Sequence, residues 1–305
     1  MRLFQNASYE FLETRRRAYL FSAALIAAGL ISIALHQGLD FGVDFTGGTL
    51  FQVHFPSATS VADVRSAVST AGLTGAAIQR FGGTDEFLVR VAAFGEEGGE
   101  DVGARIQRAL TGRFGESGYE VVRTEAVGPK VGGELKTKAI FALAMSFALT
   151  LIYLAFRFEW RFGVAAIVAT LHDILVTFGF LSIFSVEISL ATVAAILTII
   201  GYSLNDTIVV FDRIRENLKK RRKDRYTDIV NSSINETLPR TVLTSGTTLV
   251  TLVALFILGG PVIRPFALVL ILGVLIGTFS SIWVASPVLL EIELRSGTKE
   301  RRRAA

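Results

Sequence analysis

Asn205 and Asp206 lie inside an apolar run, residues 190–211, and a dense basic cluster follows them. An aspartate at the centre of a spanning helix costs about 2.5–3.5 kcal/mol on insertion scales, so a carboxylate there needs a partner or a water-filled path. Thr198, Tyr202 and Asp206 are spaced i, i+4, i+8, which predicts a polar stripe along one helix face, with Asn205 beside it. Arg240 follows Pro239 at the start of the next apolar run, 241–258, where proline suits a first helical turn. That run returns antiparallel to the first, so Arg240 falls at a depth similar to Asp206. Thr244 and Thr248 follow one and two turns further along the Arg240 face. Burial and a guanidinium pull a carboxylate's protonation in opposite directions, and an acid balanced between them is a proton-relay device. The plain alternatives are interhelical hydrogen bonding for Asn205 and Asp206, and a snorkelling topology residue for Arg240.

His172-Asp173 form a second polar pair, about 16 Å into the run 162–184. They read as supporting relay groups or as a local cap. Gly273-Val274-Leu275-Ile276-Gly277 is a GxxxG pattern that favours close helix packing, within the chain or against a partner. Asp40, Asp44, Gly47 and Gly48 mix acids with glycines, but their spacing is not that of an EF-hand, so a tight turn into a strand is the better reading. No HExxH, GxxxxGK[ST] or GxSxG pattern is present, and the three histidines are scattered. With no cysteine, thiolate metal sites and disulfides are excluded. The expectation is a non-enzyme with no metal and no cofactor, protons being the coupling ion.

These residues need a membrane scaffold. The chain has 305 residues, 51% of them hydrophobic, which is too apolar for an ordinary soluble globule. Six apolar runs long enough to span occupy 18–35, 140–156, 162–184, 190–211, 241–258 and 266–290. The first has a basic flank but no A-x-A pattern after it, so it reads as an uncleaved span rather than a signal peptide. Residues 40–136 differ. They read strand 49–55, helix 61–71, strand 76–81, strand 87–92, helix 101–114 and strand 119–127, with a turn at Thr84-Asp85. The order βαββαβ predicts a ferredoxin-like α+β domain. The expected segments are a terminal stretch 1–17, a first span 18–39, the α+β domain 40–136, five spans over 137–290 interrupted by a basic loop 212–238, and a tail 291–305.

Charge sets the orientation. The segments assigned to the cytoplasm carry nineteen Lys and Arg, while the two short outside connectors carry only Arg264. Both termini are therefore expected in the cytoplasm and 40–136 outside. The basic loop 212–238 is expected to meet anionic lipid headgroups. It is short and nearly free of aromatic residues, so nucleic acid is not an expected partner.

Several stretches resemble a known family. Residues 201–217 resemble a signature of the SecF family, the smaller subunits of SecD–SecF protein-export complexes, within the resistance–nodulation–division superfamily. Residues 40–49, Gly128-Pro129-Lys130-Val131-Gly132-Gly133-Glu134-Leu135, Leu238-Pro239-Arg240-Thr241 and Thr244-Ser245-Gly246-Thr247-Thr248 resemble further segments of that family. The resemblance covers essentially the whole chain. It implies a multi-pass protein of the bacterial inner membrane. It implies SecD as partner, the SecYEG translocon and an unfolded secretory polypeptide as further partners, and use of the proton-motive force late in export. It places the family's intramembrane acid at Asp206, its arginine at Arg240 and a nearby threonine at Thr244. The alternatives are a proton-driven exporter of lipids or small amphiphiles, disfavoured by a single external domain of about 97 residues, and a non-catalytic translocon scaffold.

Overall fold

A computed structural model describes residues 7–73, 75–80, 85–92 and 102–304. The expected turn at Thr84 lies outside them. The chain divides into two compact units, Met1–Asp40 with Ala142–Ala305, and Phe41–Phe141.

The smaller unit holds α2 (Val43–Thr46), β1 (Gly48–His54), α3 (Val61–Thr70), β2 (Ala77–Arg80), β3 (Glu86–Val91), α4 (Val102–Phe114) and β4 (Glu120–Val127). The strands form one sheet in the order β2-β3-β1-β4, and every neighbouring pair is antiparallel. Phe51, Val53 and Phe55 point to the same side of β1, as period two requires. They pack with Phe87 and Val89 against Val64 and Val68 of α3 and Ile106 and Leu110 of α4. On the opposite face Leu50 and Leu88 pack with Val43 of α2. That short helix occupies part of the stretch expected to be a tight turn. After it, Gly47 takes φ +70°, a backbone region costly for other residues, and a Cβ there would lie 2.8 Å from the Cα of Pro129.

Ser60 begins α3 with a capping box. Its hydroxyl oxygen accepts from Asp63 N at 3.1 Å, and the Asp63 carboxylate accepts from Ser60 N at 3.4 Å and from the Ser60 hydroxyl at 2.5 Å. These bonds from Ser60, side chain first, hold the Asp63 carboxyl below its ordinary range. Ser60→Ala should lower stability by about 1 kcal/mol in denaturant unfolding near neutral pH. The folded Asp63 carboxyl is the more acidic one. Its share of the stability is therefore present above the unfolded value of about 4 and is lost as pH falls through the folded value. A Ser60→Ala penalty that stays constant through that window would contradict the assignment.

The larger unit is helical. It contains α1 (Arg15–Leu35), the later part of α5 (Pro129–Arg157), α6 (Trp160–Ile183), α7 (Leu190–Lys220), α8 (Tyr226–Leu258), α9 (Gly260–Ser280), a π-turn at Ser281–Ala285, and α10 (Ser286–Ala304). Six segments are long and apolar enough to cross a membrane, the last running Val262–Arg295 through the π-turn. The segments of α6, α7 and Val262–Arg295 are mostly buried, whereas α1, α5 and α8 are mostly exposed.

Several helices outrun their apolar stretches. α5 begins at Pro129 and α7 continues to Lys220. α8 begins at Tyr226, so Pro239 lies well inside it rather than in its first turn. Proline inside a helix removes one backbone hydrogen bond and costs about 3 kcal/mol. Contacts of the preceding residues offset that. Asn217 Nδ2 donates to Ser233 at 2.9 Å, Arg213 Nε to Glu236 at 2.5 Å and Arg221 to Glu236 at 2.9 Å. Asn231 and Asn235 also accept from the backbone N–H of Phe11 and Tyr9 at 3.0 and 2.8 Å, which docks the N-terminal stretch and its buried Phe11 and Leu12. Residues 212–238 are thus two packed helical ends joined by a short turn. In this basic stretch Arg213, Arg215, Lys220 and Arg221 pair with acids. Lys219, Arg222, Lys223 and Arg225 are exposed.

Candidate functional site

α7 and α9 pack on each other, and the GxxxG pattern sets their approach. A Cβ at Gly273 would lie 2.2 Å from Ile199 Cγ1, and one at Gly277 2.9 Å from Ser203 Cβ. The pattern therefore works within the chain. By drawing α9 onto α7 it carries Ser280 and Ser281 to two buried carboxylates.

The first is Asp206, 8% exposed. Its Oδ1 accepts from Thr241 Oγ1 of α8 at 2.8 Å, and its Oδ2 accepts from Ser281 Oγ of the π-turn at 2.7 Å. The second is Asp173, 1% exposed, on α6. Its Oδ1 lies 2.9 Å from His172 Nδ1. Its Oδ2 accepts from Ser280 Oγ at 2.8 Å and from the Ser203 hydroxyl. His172 Nε2 lies 3.0 Å from Ser22 Oγ of α1, and its ring stacks on Phe279.

The expected Asp206–Arg240 ion pair is not among these contacts: among the described residues Asp206 is bonded to Thr241 and Ser281, and Arg240 is exposed. Successive helical residues point about 100° apart. Thr237, Thr241 and Ser245 make the buried row of α8, which turns Arg240 and Thr244 outward. Arg240 acts on Asp206 through space only. The Thr198–Tyr202–Asp206 stripe also separates. Eight residues leave a rotation of about 80° from a true row. Thr198 is exposed and bonds its own helix at Ala194 O (2.8 Å), Tyr202 is half-buried with its hydroxyl 3.5 Å from Ser245 Oγ, and only Asp206 is buried. Asn205 is exposed.

Sequence reasoning missed the hydroxyl groups that hold the acids: Ser22, Ser203, Thr241, Ser280 and Ser281. Ser203 lies in the 201–217 stretch, Thr241 ends Leu238-Pro239-Arg240-Thr241 and Ser280-Ser281 follow the GxxxG, but a lone hydroxyl in an apolar helix carries no pattern of its own. Chemically, the site offers two carboxylates in an apolar surround, each held by hydroxyl donors from two other helices. That arrangement suits taking up and releasing a proton.

A family model described as "Protein export membrane protein SecD/SecF, C-terminal" matches residues 107–295, and one described as "SecD/SecF GG Motif" matches 33–55, around Gly47-Gly48. Among curated relatives, a protein translocase subunit SecF of Gemmatimonas aurantiaca is 50% identical over 301 residues, covering 97% of this chain and 90% of that protein. The protein translocase subunit SecF of Escherichia coli O157:H7 is 38% identical over 288 residues, 94% of this chain and 88% of that one. A crystal structure of SecDF from Thermus thermophilus, described as a translocon-associated membrane protein, superposes with TM-score 0.85 at 38% identity over 96% of this chain. A SecDF structure in a super-membrane-facing form gives 0.71 at 37% identity. The chain spans 40% of the length of either SecDF chain.

Proposed function

Because the chain belongs to the SecF family of protein translocase subunits, we propose that it pairs with SecD and uses the proton-motive force to assist late steps of export through SecYEG. One observation carries the proton reading: Asp206 is buried in a spanning helix and held by Thr241 and Ser281 from two neighbouring segments. A proton arriving from outside neutralises the carboxylate. Its two hydroxyl contacts then weaken, α8 and the π-turn are freed to shift against α7, and the proton leaves toward the cytoplasm. Arg240 stands exposed at the rim of the site, next to Thr241 on α8. Each cycle moves the external parts of the complex and pulls or holds an emerging unfolded polypeptide. One charge crossing 100 mV yields about 2.3 kcal/mol, so a few protons suffice to bias a slow movement.

The same reading places residues 40–136 outside as a ferredoxin-like domain, in keeping with the strand order and antiparallel pairing. It places the termini and the 212–238 basic stretch in the cytoplasm, where the exposed Lys219, Arg222, Lys223 and Arg225 meet anionic headgroups. The deciding experiment is proton flux through the reconstituted complex with SecD, with and without the Asp206 carboxylate; undiminished flux without it rejects the reading. Arg240→Met tests the rim charge. It should slow flux and leave assembly with SecD intact, and wild-type flux would return Arg240 to a topology role.

A further inference from the structure

Asp173 is more buried than Asp206, sits on a different helix and is left unused by the single-acid cycle. Its wiring repeats that of Asp206. Ser281 Oγ lies 2.7 Å from Asp206 Oδ2 and 3.0 Å from Thr278 O. Ser280 Oγ lies 2.8 Å from Asp173 Oδ2 and 3.1 Å from Gly277 O. A hydroxyl has one hydrogen, so each serine has two alternative acceptors, the carboxylate and its own helix three residues back. A charged carboxylate takes that hydrogen. A protonated carboxyl donates its own hydrogen to the serine oxygen, and the serine hydrogen turns to the waiting carbonyl. Neither state strands a buried donor, which would cost about 1–3 kcal/mol.

We infer that Asp173 is a second proton-carrying carboxylate of the same relay, coupled to Asp206 through the adjacent Ser280 and Ser281 at the π-turn. This rests on the reading that Asp206 takes up a proton. The step is balanced: one proton binds Asp173 Oδ2, the hydrogen bond with Ser280 reverses direction, the Ser280 hydrogen turns to Gly277 O, and no other covalent bond is made or broken. His172 is the titratable side chain bonded to Asp173 among the described residues; α7 and α9 bring the hydroxyls of Ser203 and Ser280 to the carboxylate, and Ser22 of α1 holds the far side of the His172 ring. For Asp206 the corresponding charge is Arg240. The π-turn suits the coupling. It is a single turn with an irregular ladder, a feature frequent at functional sites, and Ser286 Oγ ties its end back to Ser281 O at 2.8 Å. Ser203 and Asp206, three residues apart on α7, give the two sites a second common element.

The test uses the full chain assembled with SecD in liposomes. Among the carboxyl bands of infrared difference spectra between low and high pH, two should belong to buried aspartates of this chain. Asp173→Asn should remove one and Asp206→Asn the other. Asparagine matches aspartate in shape and its carbonyl still accepts from Ser203 or Ser280, so the variant should co-purify with SecD as wild type does. Proton flux in Asp173→Asn should fall by about 100-fold or more, the scale of a lost proton-transfer group. Ser280→Ala should keep both bands but abolish the shift that Asp206→Asn causes in the Asp173 titration. A spectrum with the Asp206 band alone, or wild-type flux in Asp173→Asn while Asp206→Asn is inactive, overturns the second site. Wild-type flux in Asp206→Asn rejects the first reading instead, and the Asp173 band then reports separately. Where Asp173→Asn fails to assemble with SecD, Asp173→Glu keeps a carboxyl at the site and should shift the same band; a spectrum unmoved by it overturns the second site.

Discussion

If the proposed proton cycle holds, Asp206→Asn should abolish the stimulation of export by a proton gradient and leave the helical bundle and its assembly with SecD in place. The substitution preserves shape, and it also preserves the contacts. The amide carbonyl takes the Thr241 hydrogen that Asp206 Oδ1 accepts at 2.8 Å. The amide N–H₂ donates to Ser281 Oγ, whose own hydrogen turns to Thr278 O, 3.0 Å away. No buried polar atom is stranded, so the stability change should be small on the scale of about 1–3 kcal/mol that an orphaned group costs. What disappears is the ability to exchange charge for neutrality. Without it the membrane potential, worth about 2.3 kcal/mol per charge per 100 mV, has nothing in this chain to act on at this position. Secretion measured with and without an imposed proton gradient checks this. The variant should show the unstimulated rate in both cases, whereas a passive scaffold would keep the wild-type response.

The second large effect comes from the helix contact that builds the site. Gly277→Leu should both destabilise the protein and silence it. A Cβ at Gly277 would already lie 2.9 Å from Ser203 Cβ and 3.1 Å from its Cα, and backbone cannot swing aside as a flexible side chain can. Overpacking of this kind costs about 1–3 kcal/mol. To admit the side chain, α9 must move off α7. That withdraws Ser280 from Asp173 and Ser281 from Asp206, and pushes Ser203 from its place at Asp173. The variant should unfold at lower temperature in detergent and lose proton flux even where it inserts and meets SecD. Gly246 on α8 is the control. Nothing lies within 4 Å of a Cβ built there, so Gly246→Ala should keep stability and flux near wild type. Equal damage from both substitutions would mean that glycine acts through the helix backbone rather than through the α7–α9 contact.

Much of the scaffold is legible in the residue pattern because hydrophobic periodicity acts locally. Length and apolarity are enough to place six segments capable of spanning. The alternation in β1 and the helical spacing of Val64 and Val68, or Ile106 and Leu110, mark the elements of the smaller unit and the side that becomes its core. The ends of the long helices are less legible. α8 passes through Pro239 because tertiary contacts from Asn217, Arg213 and the N-terminal stretch outweigh a local penalty.

At the site, residue types alone mark the costly groups: Asp206 and the His172-Asp173 pair stand out because a charge in hydrocarbon is expensive wherever it points. The family is legible too, since motifs survive as strings. The partners of each acid come from the folded arrangement. Depth along two antiparallel helices brought Arg240 level with Asp206, but depth says nothing about rotation, and a step of about 100° per residue set Thr241 inward and Arg240 outward. The serines were unreadable for a similar reason. A hydroxyl gains meaning only when another helix brings a carboxylate to it, and that meeting depends on the close approach of α9 to α7 at Gly273 and Gly277.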